Sequence, residues 1–428
     1  VTAVRRSSAL LVGLSRWGIV RELRSAEPVV RLLVLTQLAF NVGFFMVLPY
    51  LSVHLADDLG LAAAAVGLAL GIRTFSQQGL FVVGGTLADR YGVKRVVLAG
   101  CALRVAGFLG LAVADSAVAV FAATALTGFA AALFSPAVES ALAREAGELE
   151  TAGGTSRVDA FALFSVGGQI GAFSGPLVGT LLLLVDFRAA CLAAAAVFVL
   201  ILLAHARWLP ARPAAHAGER LLAGWREVLS NRTFLLFAVA YSSQLVAYNQ
   251  LYLLLPLEVE RAWGSQAPLG WLFAASSLLV VAAQLPVTAW CRRLRVEQVL
   301  PAGFVGMSLA FVVVGLTAPA GAVGGAGLLP AVVFVVLLTV GEMVAMPFAR
   351  DLVPRLAAER RLGTYFGVLS SLSGVAVLLA STAIGALVQA APGDGLGAAA
   401  PWLVAGALPL VSAVVLTRLL PGLRAARR

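Results

Sequence analysis

Charge is what this chain has least of. Only 12% of its 428 residues are Asp, Glu, Lys or Arg, against 61% hydrophobic, and the mean hydropathy is +0.96. A soluble domain carries about 25% charged residues; the deficit here leaves too few to cover a water-facing globule, so lipid must face most of the length. Lysine is nearly absent, Lys94 being the single one. Cysteine is scarce, and Cys101, Cys191 and Cys291 are too scattered for a disulfide framework or a metal site. No H-E-x-x-H and no His/Cys cluster occurs, so no metal is expected. His54, His205 and His216 stand at span ends or in a linker and read as solvated residues. A G-x-x-x-x-G-K-[ST] loop is missing too, which excludes ATP-driven chemistry. With no nucleophile–base constellation either, the chain reads as a non-enzyme.

What is there is a succession of apolar runs. They fall near 31–53, 62–85, 96–114, 117–141, 158–184 and 188–208, then near 233–257, 267–290, 298–318, 327–349, 364–390 and 399–419. A membrane-spanning helix needs about 20 apolar residues, so the expectation is an all-α integral membrane protein of twelve transmembrane helices in two six-helix bundles. The boundaries read as a cytoplasmic lead-in at 1–30, a first bundle at 31–208, a polar linker at 209–232, a second bundle at 233–420 and a basic tail at 421–428. Residues 1–30 carry arginines and short apolar stretches and read as an amphipathic lead-in, not a cleaved leader. The net charge of +10 comes from cations concentrated in the termini and in every second loop, with Arg73, Arg104, Arg188 and Arg261 as the exceptions. That asymmetry puts both termini and the linker in the cytoplasm and removes any need for a nucleic-acid partner. The two halves echo each other: Leu48-Pro49-Tyr50-Leu51 parallels Leu255-Pro256-Leu257-Glu258, and Phe134-Ser135-Pro136 parallels Ala345-Met346-Pro347. Such six-helix repeats place a transport site near the midplane.

Two stretches carry a more specific signal. The inner loop after the second span reads Gly84-Gly85-Thr86-Leu87-Ala88-Asp89-Arg90-Tyr91-Gly92-Val93-Lys94-Arg95. Its glycines permit a tight turn and close helix contact, and Asp89 can cap a neighbouring helix N-terminus. The fifth span carries Gly171-Ala172-Phe173-Ser174-Gly175-Pro176-Leu177-Val178-Gly179-Thr180, small residues four apart with a proline that weakens the helix ladder. The first stretch resembles the loop signature G-x-L-x-D-R-x-G-R-K of the major facilitator superfamily. The second resembles that superfamily's antiporter motif G-x-x-x-G-P-x-x-G-G; a plain packing face of small residues is the alternative. The resemblance implies a gate formed by Gly85, Asp89, Arg90, Gly92, Lys94 and Arg95, with Lys94 or Arg95 standing in for the cation that Val93 replaces. It implies an antiporter element at Gly171, Gly175, Pro176 and Gly179, with Thr180 in place of the last glycine. A further family signature expects an arginine where Thr124 stands. With Gly71-Ile72-Arg73 and Gln77-Gln78-Gly79, the first half is most similar to the MdtH-type branch of bacterial multidrug exporters.

Buried polar groups mark the expected pathway, since ionisable residues inside spans usually serve a substrate, a proton or a partner. Glu342 lies well inside the tenth span, in a Gly341-Glu342 pair like one that drug–proton antiporters carry, and is the first candidate for proton coupling. The other reading is a structural partner of Arg73 or Arg104. Asp159 and Glu139, near the inner face, are further proton-coupling candidates, or else members of an interfacial salt bridge. Tyr241, Gln244, Tyr248 and Tyr252 fall on one helical face, either lining a cavity or, for the tyrosines, belonging to the interfacial belt. Asn41, Arg73, Gln77, Arg104, Gln169 and Asn249 complete the cavity candidates. The whole implies a monomeric secondary transporter in the cell membrane, exporting drug-like amphiphiles in exchange for protons, with no cofactor beyond the proton gradient. A dedicated carrier of one metabolite or antibiotic, anionic if Arg73 and Arg104 bind it, is the alternative.

Overall fold

A computed structural model describes residues 16–61, 63–214, 216, 219, 221–317, 324–390 and 396–425. The first half of the expected lead-in, four linker positions and the end of the basic tail lie outside them. The described chain is helical. In order it runs α1 (Arg16–Ser25), α2 (Pro28–Phe45), α3 (Leu48–Val53) with a π turn at His54–Asp58, α4 (Ala63–Gln78), α5 (Phe81–Tyr91), α6 (Val93–Val113), α7 (Ala117–Thr151) and α8 (Arg157–Leu183). Then come α9 (Phe187–Trp208), α10 (Leu221–Ser230), α11 (Arg232–Trp263), α12 (Leu269–Cys291), α13 (Val296–Thr317), α14 (Gly324–Leu356), α15 (Leu362–Ala390) and α16 (Leu396–Ala425).

Ten of the described helical stretches are long and apolar enough to cross a membrane. The two expected spans that fall short do so for a chemical reason. In the second, Arg73, Gln77 and Gln78 lower the hydropathy and the helix breaks between α4 and α5. In the seventh, α11 carries Tyr241, Gln244, Tyr248, Asn249 and Gln250. Both of these spans carry residues expected to line the transport pathway. At 1.5 Å per residue, the 35 residues of α7 reach about 50 Å, well beyond a hydrocarbon core of about 30 Å. Its last turns therefore project past the bilayer.

Contacts divide the chain into two compact units. One comprises Val20–Asn231 with Val353–Ser371; the other comprises Arg232–Leu352 with Leu372–Arg428. In the first unit, hydroxyl and carboxylate caps fix the helix starts: Ser116, Ser156 and Asp186 accept from the backbone N–H groups of Ala119, Asp159 and Ala189. Each satisfies one of the orphan donors of a helix N-terminus. Small residues then set helix distances. A Cβ on Gly171 would collide with the Leu38 carbonyl, on Gly175 with Phe45, and on Gly179 with the Met46 carbonyl, so α8 lies hard against α2. Thr180, where the family motif has glycine, shares a 2.7 Å hydrogen bond with the Tyr50 hydroxyl, which also donates to the Pro176 carbonyl at 2.7 Å. In the second unit Gly303 and Gly341 press backbone to backbone and bring α13 against α14. Large apolar side chains such as Leu184, Val185, Leu378 and Leu379 stay exposed, as a lipid-facing surface requires.

The three histidines correct the sequence reading. His205 is fully buried, its Nδ1 2.9 Å from the Ile201 carbonyl and its ring edge-on to Phe134. His54 stacks on Phe187 at 4.0 Å and pairs with Asp58, and His216 is buried beside Glu219. Position at a span end did not imply exposure, because helix ends here are covered by neighbouring chain.

Candidate functional site

Three polar constellations stand out, and each lies within one unit. The first is in the second unit, where α11 and α14 meet. Gln244 Nε2 donates to Glu342 Oε1 at 2.5 Å, and the Tyr241 hydroxyl donates to Met346 Sδ at 2.8 Å. The residues pair because 241 and 244 share a face of α11, while 342 and 346 share a face of α14. Gln244 is buried, and no salt bridge reaches Glu342 among the described residues, so a neutral amide is the carboxylate's partner. The stripe continues outward with Tyr248 and Tyr252, their rings 5.9 Å apart, and Tyr252 stacks on Phe273 at 5.5 Å. Asn249 points elsewhere on α11 and donates to the Ser381 hydroxyl at 2.9 Å. Ser276 joined to Thr339 at 2.8 Å, and Gln284 donating to the Met343 carbonyl at 3.0 Å, bind α12 to α14 beside this cluster. Sequence reasoning missed both links; the polar positions inside an apolar α12 were the available signal.

The second constellation is cationic and belongs to the first unit. Arg73 donates to Gln77 Oε1 and to the Thr74 hydroxyl, both at 3.2 Å, and lies over the Phe44 ring. Arg104 is buried among the rings of Phe40, Phe44, Phe108 and Phe198, 4.9 to 5.4 Å from their centroids, with Nη1 donating to the Thr127 carbonyl. Nothing in the sequence pattern announced this box, whose rings come from α2, α6 and α9. Asn41 donates to the Gly168 carbonyl at 2.8 Å, tying α2 to α8, and Gln169 sits half-buried on the next position of α8.

The third constellation is the inner loop. Asp89 Oδ1 accepts from the Gly363 backbone N–H at 2.9 Å; Oδ2 accepts from the Thr364 N–H at 2.7 Å and its hydroxyl at 2.6 Å. A carboxylate thus caps the positive N-terminal end of α15. Burial pushes the Asp89 carboxyl above the ordinary aspartate range, against the opposing pull of the Thr364 and Gly363 hydrogen bonds. Gly85 and Gly363 lie so close that a side chain on either would strike the other's backbone. Gly92 takes φ +90°, which lets α5 turn directly into α6. Where the chain breaks before α5, the Ser371 hydroxyl repairs it by accepting from the Val82 N–H and donating to the Gln78 carbonyl, both at 3.1 Å.

The turn between α14 and α15 holds Ala358, Glu359 and Arg361 at φ 49°, 59° and 47°. Left-handed backbone at non-glycine residues persists only where the surroundings impose it. Here Arg157 pairs with Glu359 at 2.9 Å, and Arg361 pairs with Glu227 at 2.6 Å and with Glu219. Trp225 Nε1, on the linker helix α10, donates to the Thr86 hydroxyl at 2.8 Å. Arg212 meets Glu145 and Glu148 on α7 at 2.9 and 2.5 Å. Hydrogen bonds from His216 and Arg361 hold the Glu219 carboxyl below the usual glutamate range. Lys94 lines a cavity of about 260 Å³ with Asp89, Arg144, Glu145 and Arg212, whereas Arg90 and Arg95 face a separate cleft that Lys94 also borders. Asp159 forms a reciprocal cap with Ser156, accepting the hydroxyl at 2.8 Å, and Glu139 is half-buried on α7. Among the described residues no group of His, Cys, Asp and Glu has metal-binding geometry.

The family model described as the Major Facilitator Superfamily matches residues 33–381. The chain belongs to this superfamily. It is 42% identical over 367 residues to an MFS-type transporter of Mycobacterium tuberculosis that is itself uncharacterized, covering 84% of this chain and 86% of that one. It is 32% identical over 336 residues to the multidrug resistance protein MdtH of Salmonella typhi, covering 78% and 80%. Among solved structures, the human organic anion transporter TETRAN matches with a TM-score of 0.69 at 17% identity, over 91% of this chain and all of that one. A peptide transporter matches with a TM-score of 0.64 at 19% identity, over 92% and 94%. These structures show the shared fold. This superfamily member is a multi-pass membrane transporter and not an enzyme.

Proposed function

We propose that this chain exports amphipathic, drug-like compounds across the cell membrane in exchange for protons, by alternating access. The observation that carries the reading is Glu342: a carboxyl group deep in a span, met by the Gln244 amide and in no salt bridge among the described residues. Such a group exchanges its proton more readily than one locked in a salt bridge, since no cation is paired with it and the charge of Arg350 acts on it only from a distance. The aromatic face of Tyr241, Tyr248, Tyr252 and Phe273 beside it suits flat amphiphiles, which stack on rings and need few directional bonds. The relative named a multidrug resistance protein supports the same substrate class. The cargo pathway, in this reading, includes the Gln244–Glu342 pair, while Asp89 and the loop around it gate the cytoplasmic side. The transporter acts as a monomer with both termini in the cytoplasm and uses no cofactor, the proton gradient supplying the energy.

The test is Glu342→Gln in proteoliposomes with an imposed pH gradient. The variant keeps the shape and the hydrogen bond to α11, so the protein stays monodisperse with a near-native melting temperature while dye efflux driven by the gradient disappears. Efflux at the wild-type rate would remove Glu342 from coupling.

A further inference from the structure

Among the described residues, two guanidinium groups deep in the spans of the first unit, those of Arg73 and Arg104, have no carboxylate against them. Arg73 and Arg104 lie 5.3 and 5.0 Å from the centroid of one ring, that of Phe44. Arg104 is 1% exposed; its Nη1 is taken by the Thr127 carbonyl, and its Nε and Nη2 have no acceptor among the described residues. Arg73 Nε has none either, and its two other nitrogens reach only a neutral amide and a hydroxyl. Rings hold a guanidinium in place through their quadrupole, but they do not cancel its charge. An uncompensated ion out of water is costly, and a like charge nearby makes it costlier. The pair is therefore short of one negative charge.

We propose that Arg73, with Arg104 behind it, anchors the acidic group of the substrate: a carboxylate, sulfonate or phosphate on an amphipathic molecule. The two arginines divide the work by burial. Arg104 is walled in by four phenylalanines, so it contributes field and not contact. Arg73 is half-buried, and its bonds to Gln77 and Thr74 join neutral groups that an anion displaces with net gain, because charge-assisted hydrogen bonds are the stronger kind. Phe44, touching both cations, offers an apolar wall for the rest of the molecule. The inference rests on the transport reading above and narrows its cargo to amphiphiles that bear an acid.

Two dyes on one xanthene skeleton make the test: anionic carboxyfluorescein and cationic rhodamine 6G, bound to the purified full chain in detergent and read by fluorescence polarisation. Arg73→Gln weakens carboxyfluorescein tenfold or more and changes rhodamine 6G by less than twofold, and Arg73→Lys recovers most of the loss. Melting temperature confirms that each variant is folded; Arg73 is varied because it is not enclosed as Arg104 is. No binding of carboxyfluorescein to wild type, or equal weakening of both dyes, overturns the anchor. So does protection by chloride alone that depends on Arg73, which marks a site for a free ion. Selective binding without gradient-driven efflux of either dye in proteoliposomes sinks the transport reading while leaving the anchor standing.

Discussion

Asp89 does with one side chain what a helix usually needs several groups to do. It accepts three hydrogen bonds at the start of α15, and its charge faces the positive end of that helix. Asp89→Asn keeps the size and loses the charge, removing about 1 kcal/mol, up to about 2 where partly buried, from the contact. Access equilibria turn on a few kcal/mol, so gradient-driven efflux slows several-fold in a protein that still folds; turnover at the wild-type rate would count against a gating role. Acidity acts on the same atom. Burial raises the Asp89 carboxyl, so protonation begins at a higher pH than the ordinary value of about 3.9. A carboxyl whose pKa is raised in the contact holds its proton more tightly there, so by linkage the contact is favoured as pH falls through that raised value and weakens as pH rises through it. Thiol-labelling of a cysteine placed at Ser140, on the inner cavity wall, should fall on acidification with Asp89 present and stay flat in Asp89→Asn. This carboxylate was legible in the sequence because its neighbours form a dense local motif. Its acceptor role toward residues 363 and 364 was not, since nothing local links positions so far apart. Asp159 is the reverse case: Ser156-x-x-Asp159 spells a helix cap, and a reading guided by depth in the membrane passed over it.

Between elements, distance is set by glycine. Gly171 on α8 faces the Leu38 carbonyl of α2, and backbone cannot give way as a side-chain tip can. Gly171→Leu forces the helices apart at a cost of about 1–3 kcal/mol or more, so the melting temperature in detergent falls by several degrees. Gly385, with open space around its Cα, serves as the control: Gly385→Ala leaves melting unchanged. Similar losses in both would show that the α2–α8 approach is not special. The linker helix α10 is held by charge. Arg361 joins Glu219 and Glu227, and Glu219 is held in its ionised form below the usual range of about 4.3. A lowered carboxyl keeps its contribution above its unfolded value and loses it only as pH falls through the folded one. Limited trypsin digestion in the linker is therefore steady from pH 8 to pH 6, and Arg361→Ala raises it several-fold across that range. The spans themselves were legible because a 20-residue apolar run has few other meanings. The phenylalanine box around Arg104 was not, because phenylalanine in an apolar helix looks the same whether it faces lipid or a cation.

At the scale of the molecule, the sequence speaks through placement of charge. With all but four of the 31 basic residues crowded into alternate loops and ends, the chain should insert with both termini in the cytoplasm. A fluorescent protein fused to the C-terminus should glow, and alkaline phosphatase at the same point should be inactive; the opposite pattern would invert the topology. A division into two compact units was readable from paired prolines and a polar seam. The grouping of Val353–Ser371 with the first unit was not readable, because it follows from contacts of Asp89, Gly85 and Arg361 that connect distant segments. Lys94 borders the cavity beside Asp89, and no other side chain in the sequence ends in a primary amine. An amine-reactive fluorophore therefore has a single side-chain target here, a ready-made reporter whose emission would follow wetting of the cytoplasmic vestibule without any engineered residue.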